Sequence, residues 1–257
     1  MAALAGSHRD LKQLRVWLRD RRARDDAGVF VVEGPRALDA LIGRGVRPRV
    51  VYVDEGSGYD GLVVAPGVLG KIADTRTSPG VIAVFDRTFD DADAAVAADT
   101  CDRLVVLTRI NDPGNLGTIV RSAQAAGFGA IVVGPGSVDP YNPKTVRASA
   151  GAIGSLPVWA PREEADVLEL LGRVASRGGV RLGAAASSTL SIDDAPLDAR
   201  PLAIVVGHET AGLGEFPLDA TIAIPMAEGS ESLNVAMAAT VLCFEAARRG
   251  RCSGSAS

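Results

Sequence analysis

The sequence predicts an α/β fold: a mostly parallel sheet in the C-terminal part, preceded by a small α/β unit. Three observations carry this expectation. From Arg103 onward, apolar strand-like runs alternate with helical runs, the pattern of a sheet covered by helices on both faces. Several of those strands end in glycine-bearing loops, the places where such sheets hold ligands. An acidic, alanine-rich stretch from Asp90 to Asp99 interrupts a first alternating unit, which places a boundary there and divides the chain into 1–100, 101–250 and a loose tail, 251–257. With 257 residues, 47% apolar and 23% charged, the chain has material for a sizeable core, and wholesale disorder is excluded.

In order along the chain, Leu11, Leu14 and Leu18 recur at helical spacing with Arg15, Arg19 and Arg22 on another face, so residues 7–24 read as a basic amphipathic helix. Val29 to Val32 is a strand, Glu33-Gly34-Pro35 a turn, and Arg36 to Ile42 a helix. Strands follow at Arg49 to Val53 and Val81 to Phe85, with apolar patches at Leu62 to Val64 and Val68 to Ile72 between them. In the second part, strand Leu104 to Thr108 leads through Asn111-Asp112-Pro113-Gly114 into a helix ending at Ala126. Strand Ala130 to Val133 leads through Gly134-Pro135-Gly136 to a helix over Lys144 to Ile153. A helix from Glu163 to Ser176 precedes strand Val180 to Ala184, and strands Leu202 to Val206 and Thr221 to Ile224 precede a last helix from Glu231 to Arg249.

Composition narrows the class. The longest apolar run, Val235 to Phe244, is too short for a membrane span, which takes ~20 residues. The first residues lack a basic segment followed by an apolar one, so the expected location is the cytoplasm. Cys101 and Cys243 read as buried thiols and Cys252 as part of the tail; three scattered cysteines and two histidines suggest no disulfide framework and no metal site. Net charge is −4, which speaks against nucleic acid until it is divided: residues 1–24 carry +5 and the rest −9. Arginines make up 24 of the 27 basic residues, a bias that phosphate binding and genome composition explain equally well.

Common motifs fail. Gly134-Pro135-Gly136-Ser137-Val138-Asp139 puts Asp139 where a dinucleotide fingerprint needs its third glycine, and neither a nucleophile elbow nor a phosphate-binding P-loop occurs. Three segments remain. In Asn111-Asp112-Pro113-Gly114-Asn115-Leu116-Gly117-Thr118-Ile119-Val120-Arg121, a tight turn precedes a helix that Asn115 is placed to cap and that carries Arg121. In Gly207-His208-Glu209-Thr210-Ala211-Gly212, a carboxylate leaves a buried strand. In Ile224-Pro225-Met226 and Ser230-Glu231-Ser232-Leu233-Asn234, Ser232 and Asn234 open an apolar helix. Taken singly, each also fits turn formation, solvated charge or helix capping.

Together and in order, the three segments resemble the signature motifs of the SpoU-type RNA ribose 2′-O-methyltransferases of the SPOUT superfamily. The first part is similar to that family's accessory RNA-binding domain, itself like a small ribosomal protein, through Phe30-Val31-Val32-Glu33-Gly34-Pro35-Arg36-Ala37-Leu38 and Thr77-Ser78-Pro79-Gly80-Val81. His208 and Thr210 depart from the common pattern, which bears on fine specificity.

The resemblance implies a deep trefoil knot, a homodimer with its sites near the interface, and S-adenosylmethionine held around Gly207, Ile224, Met226, Ser232, Leu233 and Asn234. It assigns the chemistry to Arg121, Asn115, Glu209, Ser232 and Asn234, with Arg121 as base or as phosphate clamp. RNA contacts are expected from Arg15, Arg19, Arg22, Lys144 and Arg147. Ribosomal RNA, the 23S molecule foremost, is the expected substrate. Transfer RNA, a non-catalytic RNA-binding relative and a nucleotide-cofactor oxidoreductase remain as alternatives.

Overall fold

The structure is a computed structural model that describes residues 3–73, 78–89, 91–207, 213–227 and 232–254. Its first part is built on a four-stranded sheet. Strands β1 (Val29–Glu33), β2 (Pro48–Asp54), β3 (Leu62–Val64) and β4 (Val81–Asp86) lie in the order β1-β4-β2-β3. β4 runs antiparallel to both neighbours, whereas β2 and β3 are parallel. Helix α1 (Arg9–Arg19) places Leu11, Leu14 and Leu18 on one face of this sheet, against Val29, Val31, Ile82 and Val84. Each such burial contributes roughly 1.5–3 kcal/mol.

The leading helix expected over 7–24 is two helices. Asp20 is extended (φ −112°, ψ 113°) and accepts from the Ala23 N–H, so it ends α1 and caps α2 (Arg21–Ala27). An Asp side chain competes for backbone donors in this way, and helical periodicity in Leu and Arg does not register it. Helices α3 (Pro35–Gly43) and α4 (Val68–Ile72) complete the unit.

The second part is a six-stranded sheet in which every ladder is parallel. Its strands are β5 (Arg103–Thr108), β6 (Ala130–Val133), β7 (Val158–Trp159), β8 (Val180–Ala184), β9 (Leu202–Gly207) and β10 (Ala220–Ile222), in the order β10-β8-β9-β5-β6-β7. Side chains alternate between two helical layers, as the pleat requires. Val105, Leu107, Ile131, Ile204 and Val206 face α6 (Pro113–Ala125) and α9 (Val235–Gly254). Leu104, Val106, Val132, Ala203 and Val205 face α8 (Glu164–Ser176). The expected α/β architecture with a parallel sheet is therefore present.

Several boundaries differ from expectation. The acidic stretch read as a break is helix α5 (Asp91–Thr100), packed on β6, β7 and α8. Its alanines support a helix whatever its charge. The helix expected over Lys144 to Ile153 is α7 (Pro143–Ala148); positive φ at Ala150 (48°) and Gly151 (84°) ends it, and a single 3-10 turn follows at 152–154. β7 was missed because only two residues pair. β10 stops at Ile222, and α9 begins at Val235.

The two parts share a core. Phe30 on β1 stacks on Phe85 and meets Tyr141 of the second part. A side chain at Gly154 would stand 2.4 Å from Leu41 and 3.1 Å from Phe30, so only glycine permits this approach. Polar ties cross the same boundary. Arg24 is buried and ion-paired with Asp139, and Arg147 lies 3.2 Å from the buried Glu33 carboxylate. Cys243 is fully buried and its thiol is pushed up to about 12 by that burial; Cys101 is half-buried and pushed up to about 11. The Cys252 side chain lies outside the described residues.

Candidate active site

The carboxyl ends of β8, β9, β5 and β6 meet at one edge of the second sheet, where strand order and chain order part company. At β5, Asp112 accepts from the Asn115 N–H at 2.8 Å and Pro113 occupies the first turn of α6. Asp112 is thus the cap, not Asn115, because Pro113 fixes the helix start one residue after it. That leaves the Asn115 side chain free for other work. Gly117 lets α6 lie directly on α7: a side chain there would meet Ala148 and the Thr145 carbonyl at 2.5 Å.

At β9 and β10 the chain borders a cavity of about 410 Å³. Its walls are Val206 and Gly207 at the end of β9, Ile222, Ile224 and Met226 along and beyond β10, Ser232 and Leu233 just before α9, and Val235 and Leu242 on α9. Five of the six residues expected at a cofactor, Gly207, Ile224, Met226, Ser232 and Leu233, line it together. Asn234 does not; it turns the other way. Its Nδ2 donates to Asn115 Oδ1 at 3.2 Å, while its Oδ1 accepts from the Ala236 N–H at 2.9 Å and caps α9. One amide therefore fixes α9 and joins the first signature segment to the third. Ser122 and Thr240, 2.7 Å apart, repeat the α6–α9 tie two turns on. Replacing Asn234 with Ala should lower Tm by about 2–4 °C, the usual consequence of losing a helix cap worth ~1 kcal/mol, as calorimetry would show.

Arg121 is exposed on α6 and has no hydrogen-bond or ion-pair partner among the described residues. It stands ~9 Å along the axis from Asn115 and about 120° around the helix from it. Glu209, with His208 and Thr210, lies outside the described residues.

The residues expected at RNA are dispersed. Arg19, Arg22 and Lys144 are exposed. Arg15 donates to the Gly6 carbonyl. Arg147, part-exposed, lies in an ion pair with Glu33, the partner that a buried carboxylate needs. Sequence reasoning missed the run Ala184-Ala185-Ala186-Ser187, which closes one wall of the cavity beyond β8. The rule that ligands sit past strand ends could have found it.

A family model described as the SpoU rRNA Methylase family matches residues 102–244. A 23S rRNA (uridine(2479)-2′-O)-methyltransferase of Streptomyces viridochromogenes is 33% identical over 95% of this chain and 90% of its own length. A 23S rRNA (guanosine(2553)-2′-O)-methyltransferase of Bacillus subtilis is 28% identical over 88% of this chain and 92% of its own. Among solved structures, the SpoU methyltransferase AviRb of Streptomyces viridochromogenes in complex with the cofactor AdoMet superposes with a TM-score of 0.81 at 29% identity, covering 96% of this chain and 99% of that one.

Proposed function

The chain belongs to the SpoU rRNA methylase family, and from that premise we propose that it transfers a methyl group from S-adenosylmethionine to a ribose 2′-hydroxyl of ribosomal RNA. The observation that carries this reading is the junction of two features at one sheet edge. A mostly apolar cavity at the ends of β8, β9 and β10 adjoins, through Leu233 and Asn234, the helix that bears Arg121.

The cavity suits the cofactor on its own chemistry. Its size falls in the ~300–1,000 Å³ range of small-molecule sites. Its aliphatic walls can take an adenine ring and the carbon stem of the methionyl chain, while Ser232 and the backbone near Gly207 and 224–226 offer polar contacts. Bound there, S-adenosylmethionine supplies an electrophilic methyl group. The chain's own residues do the rest: Asn115 and Asn234 tie α6 to the start of α9 beside the cavity, Ser232 stands at its mouth, and Arg121 clamps the phosphate beside the target ribose. A guanidinium stays protonated, so Arg121 works by holding charge rather than by removing a proton; as the O–CH3 bond forms and the S–CH3 bond breaks, S-adenosylhomocysteine leaves and the hydroxyl proton passes to solvent water. Glu209 is assigned to positioning Arg121 or the ribose.

The same reading includes a deep trefoil knot, a delivery domain in the first hundred residues, a cytoplasmic location and a homodimer. In support of the knot, Arg249 near the end of α9 donates to the carbonyls of Ile192, Asp193 and Ala195, so the last helix is tied across the connection that precedes β9. In support of the dimer, Met237, Val241 and Phe244 form an exposed apolar stripe on α9 at helical spacing, beside the exposed Leu233 and Met226 at the cavity mouth. A Val241→Asp/Phe244→Asp variant should sediment as a monomer where the parent sediments as a dimer. A parent that is monomeric throughout would end the dimer assignment.

The central test is incubation with methyl-labelled S-adenosylmethionine and separated ribosomal and transfer RNA, followed by alkaline hydrolysis. Label in an alkali-resistant dinucleotide from ribosomal RNA is expected. Label confined to transfer RNA would reassign the substrate, and none in either would point to a non-catalytic relative.

A further inference from the structure

A second cavity, of about 690 Å³, opens at the carboxyl ends of β6 and β7, beneath α2. Arg21 and Arg22 of α2 overhang it, and Arg162 stands at its far rim. Asp25 and Asp26 also border it and pair loosely with Arg21 and Arg22 at 3.5 and 3.9 Å. Arg162 has no carboxylate partner among the described residues. Prolines 135, 140 and 161 give the cavity flat apolar walls that carry no N–H.

Arg109 belongs to this place as well. It is an exposed residue at the end of the central strand β5, without an ion-pair partner among the described residues. Its stem runs beside Gly136, whose Cβ position would be 3.5 Å from Arg109 Cγ. Its φ of 56° is left-handed, a conformation that disfavours any side chain but glycine's hydrogen. A strained arginine where glycine would be relaxed is an observation that calls for a use.

The cleft is also built rather than incidental. Ser137 Oγ accepts from the Ile110 N–H at 3.1 Å, Val138 N–H donates to the Ile110 carbonyl at 2.8 Å, and Arg24 pins α2 to Asp139. Finally, it lies on the same sheet edge as the cofactor cavity. β5 separates β9 from β6, so the two sites are ~10 Å apart across two strand spacings.

We propose that this cleft receives the nucleotide next to the one methylated, with its base against the proline walls and its phosphate on Arg109 and Arg162. Single-stranded RNA is read in this manner, by unstacked bases on flat surfaces and by guanidinium–phosphate contacts. The inference rests on the reading that RNA is the substrate, and it adds residues outside the three signature segments' assigned chemistry.

The test measures Kd for fragmented ribosomal RNA and for a short oligouridylate against salt, together with label transfer, in the parent, Arg109→Gly, Arg162→Ala and the double variant. Arg109→Gly also relieves the left-handed backbone, so its unfolding temperature should hold or rise. Each single change should weaken RNA binding about tenfold and the double about a hundredfold. The slope of log K against log salt should flatten by ~0.7 per phosphate contact removed. Arg162→Lys, which keeps the charge, should restore most of that slope.

If the parent transfers label yet the double variant binds RNA within twofold and with the same slope, the cleft is not the subsite and the methyltransferase reading stands. Weaker binding at an unchanged slope overturns the proposal too, since no phosphate contact was lost. If the parent transfers no label but the variants lose affinity and slope, the cleft stands as an RNA site and the activity falls. A parent that binds no RNA removes both.

Discussion

Replacing Arg121 with Ala is expected to reduce methyl transfer by about 10²–10³-fold, the range seen when one preorganised donor to developing charge is removed. Cofactor affinity should stay within about twofold, because none of the cavity walls belongs to α6. The reasoning is geometric. Arg121 has no structural duty among the described residues: it is exposed and unpaired, so its removal leaves no buried group stranded. A side chain that stabilises nothing in the free protein is available to a substrate. Arg121→Lys separates a fork from a point charge, since a lysine keeps the charge but not the bidentate geometry, and partial recovery is expected. Equilibrium dialysis and single-turnover transfer read the two quantities separately. Near-normal turnover in Arg121→Ala would end the assignment, and parallel loss of cofactor binding would recast Arg121 as structural.

Much of this molecule is written in residue order, and the exceptions share a cause. The strands Leu104 to Thr108, Ala130 to Val133 and Leu202 to Val206 are unbroken apolar runs, and a run of that kind is stable only with a helical layer on each face. Their burial alternates between two helical layers, as that reasoning requires. The segments around Asn115, Gly207 and Ser232 come together because strand ends converge, which the alternation of strands and helices already implies.

What was not legible depends on pairs distant in sequence. Nothing near Asn234 says that its amide meets Asn115 rather than the cavity, and nothing near Arg147 announces a buried Glu33. Asp20 looked like one more charge on a helix, and only its extended backbone shows it to be a cap. Arg24, included in the +5 of the leading segment, is buried and neutralised by Asp139, so the basic charge open to RNA on that segment is smaller than its count. Summed charge assumes that every charge reaches solvent, and here one does not.

Arg24→Ala is expected to destabilise the protein by about 3–5 kcal/mol, the cost of breaking a buried pair from one side. Arg24 is 3% exposed and the Asp139 side chain 10%. One guanidinium nitrogen donates to the Trp17 carbonyl and the other to Asp139 Oδ2, while Asp139 Oδ1 accepts from the Tyr141 N–H at 2.9 Å. Truncation would leave a carboxylate in a near-dry site and a backbone carbonyl without its donor. The pair is not an ideal one in itself, for Arg24 Nε has no partner. Desolvation therefore offsets much of the attraction, and replacing both members with apolar groups of similar volume should cost far less than removing one. At ~2–4 °C per kcal/mol for a chain of this size, Arg24→Ala should lower Tm by about 6–20 °C, and Arg24→Met/Asp139→Leu should recover most of that loss. Calorimetry on the two variants decides it: a shift below about 2 °C in Arg24→Ala would mean that water reaches the site and that the pair is worth no more than an exposed one. The same contact holds α2 over the loop at 134–140, so the single variant should also weaken RNA binding at temperatures well below its Tm. The apolar double variant, which keeps α2 packed, should not.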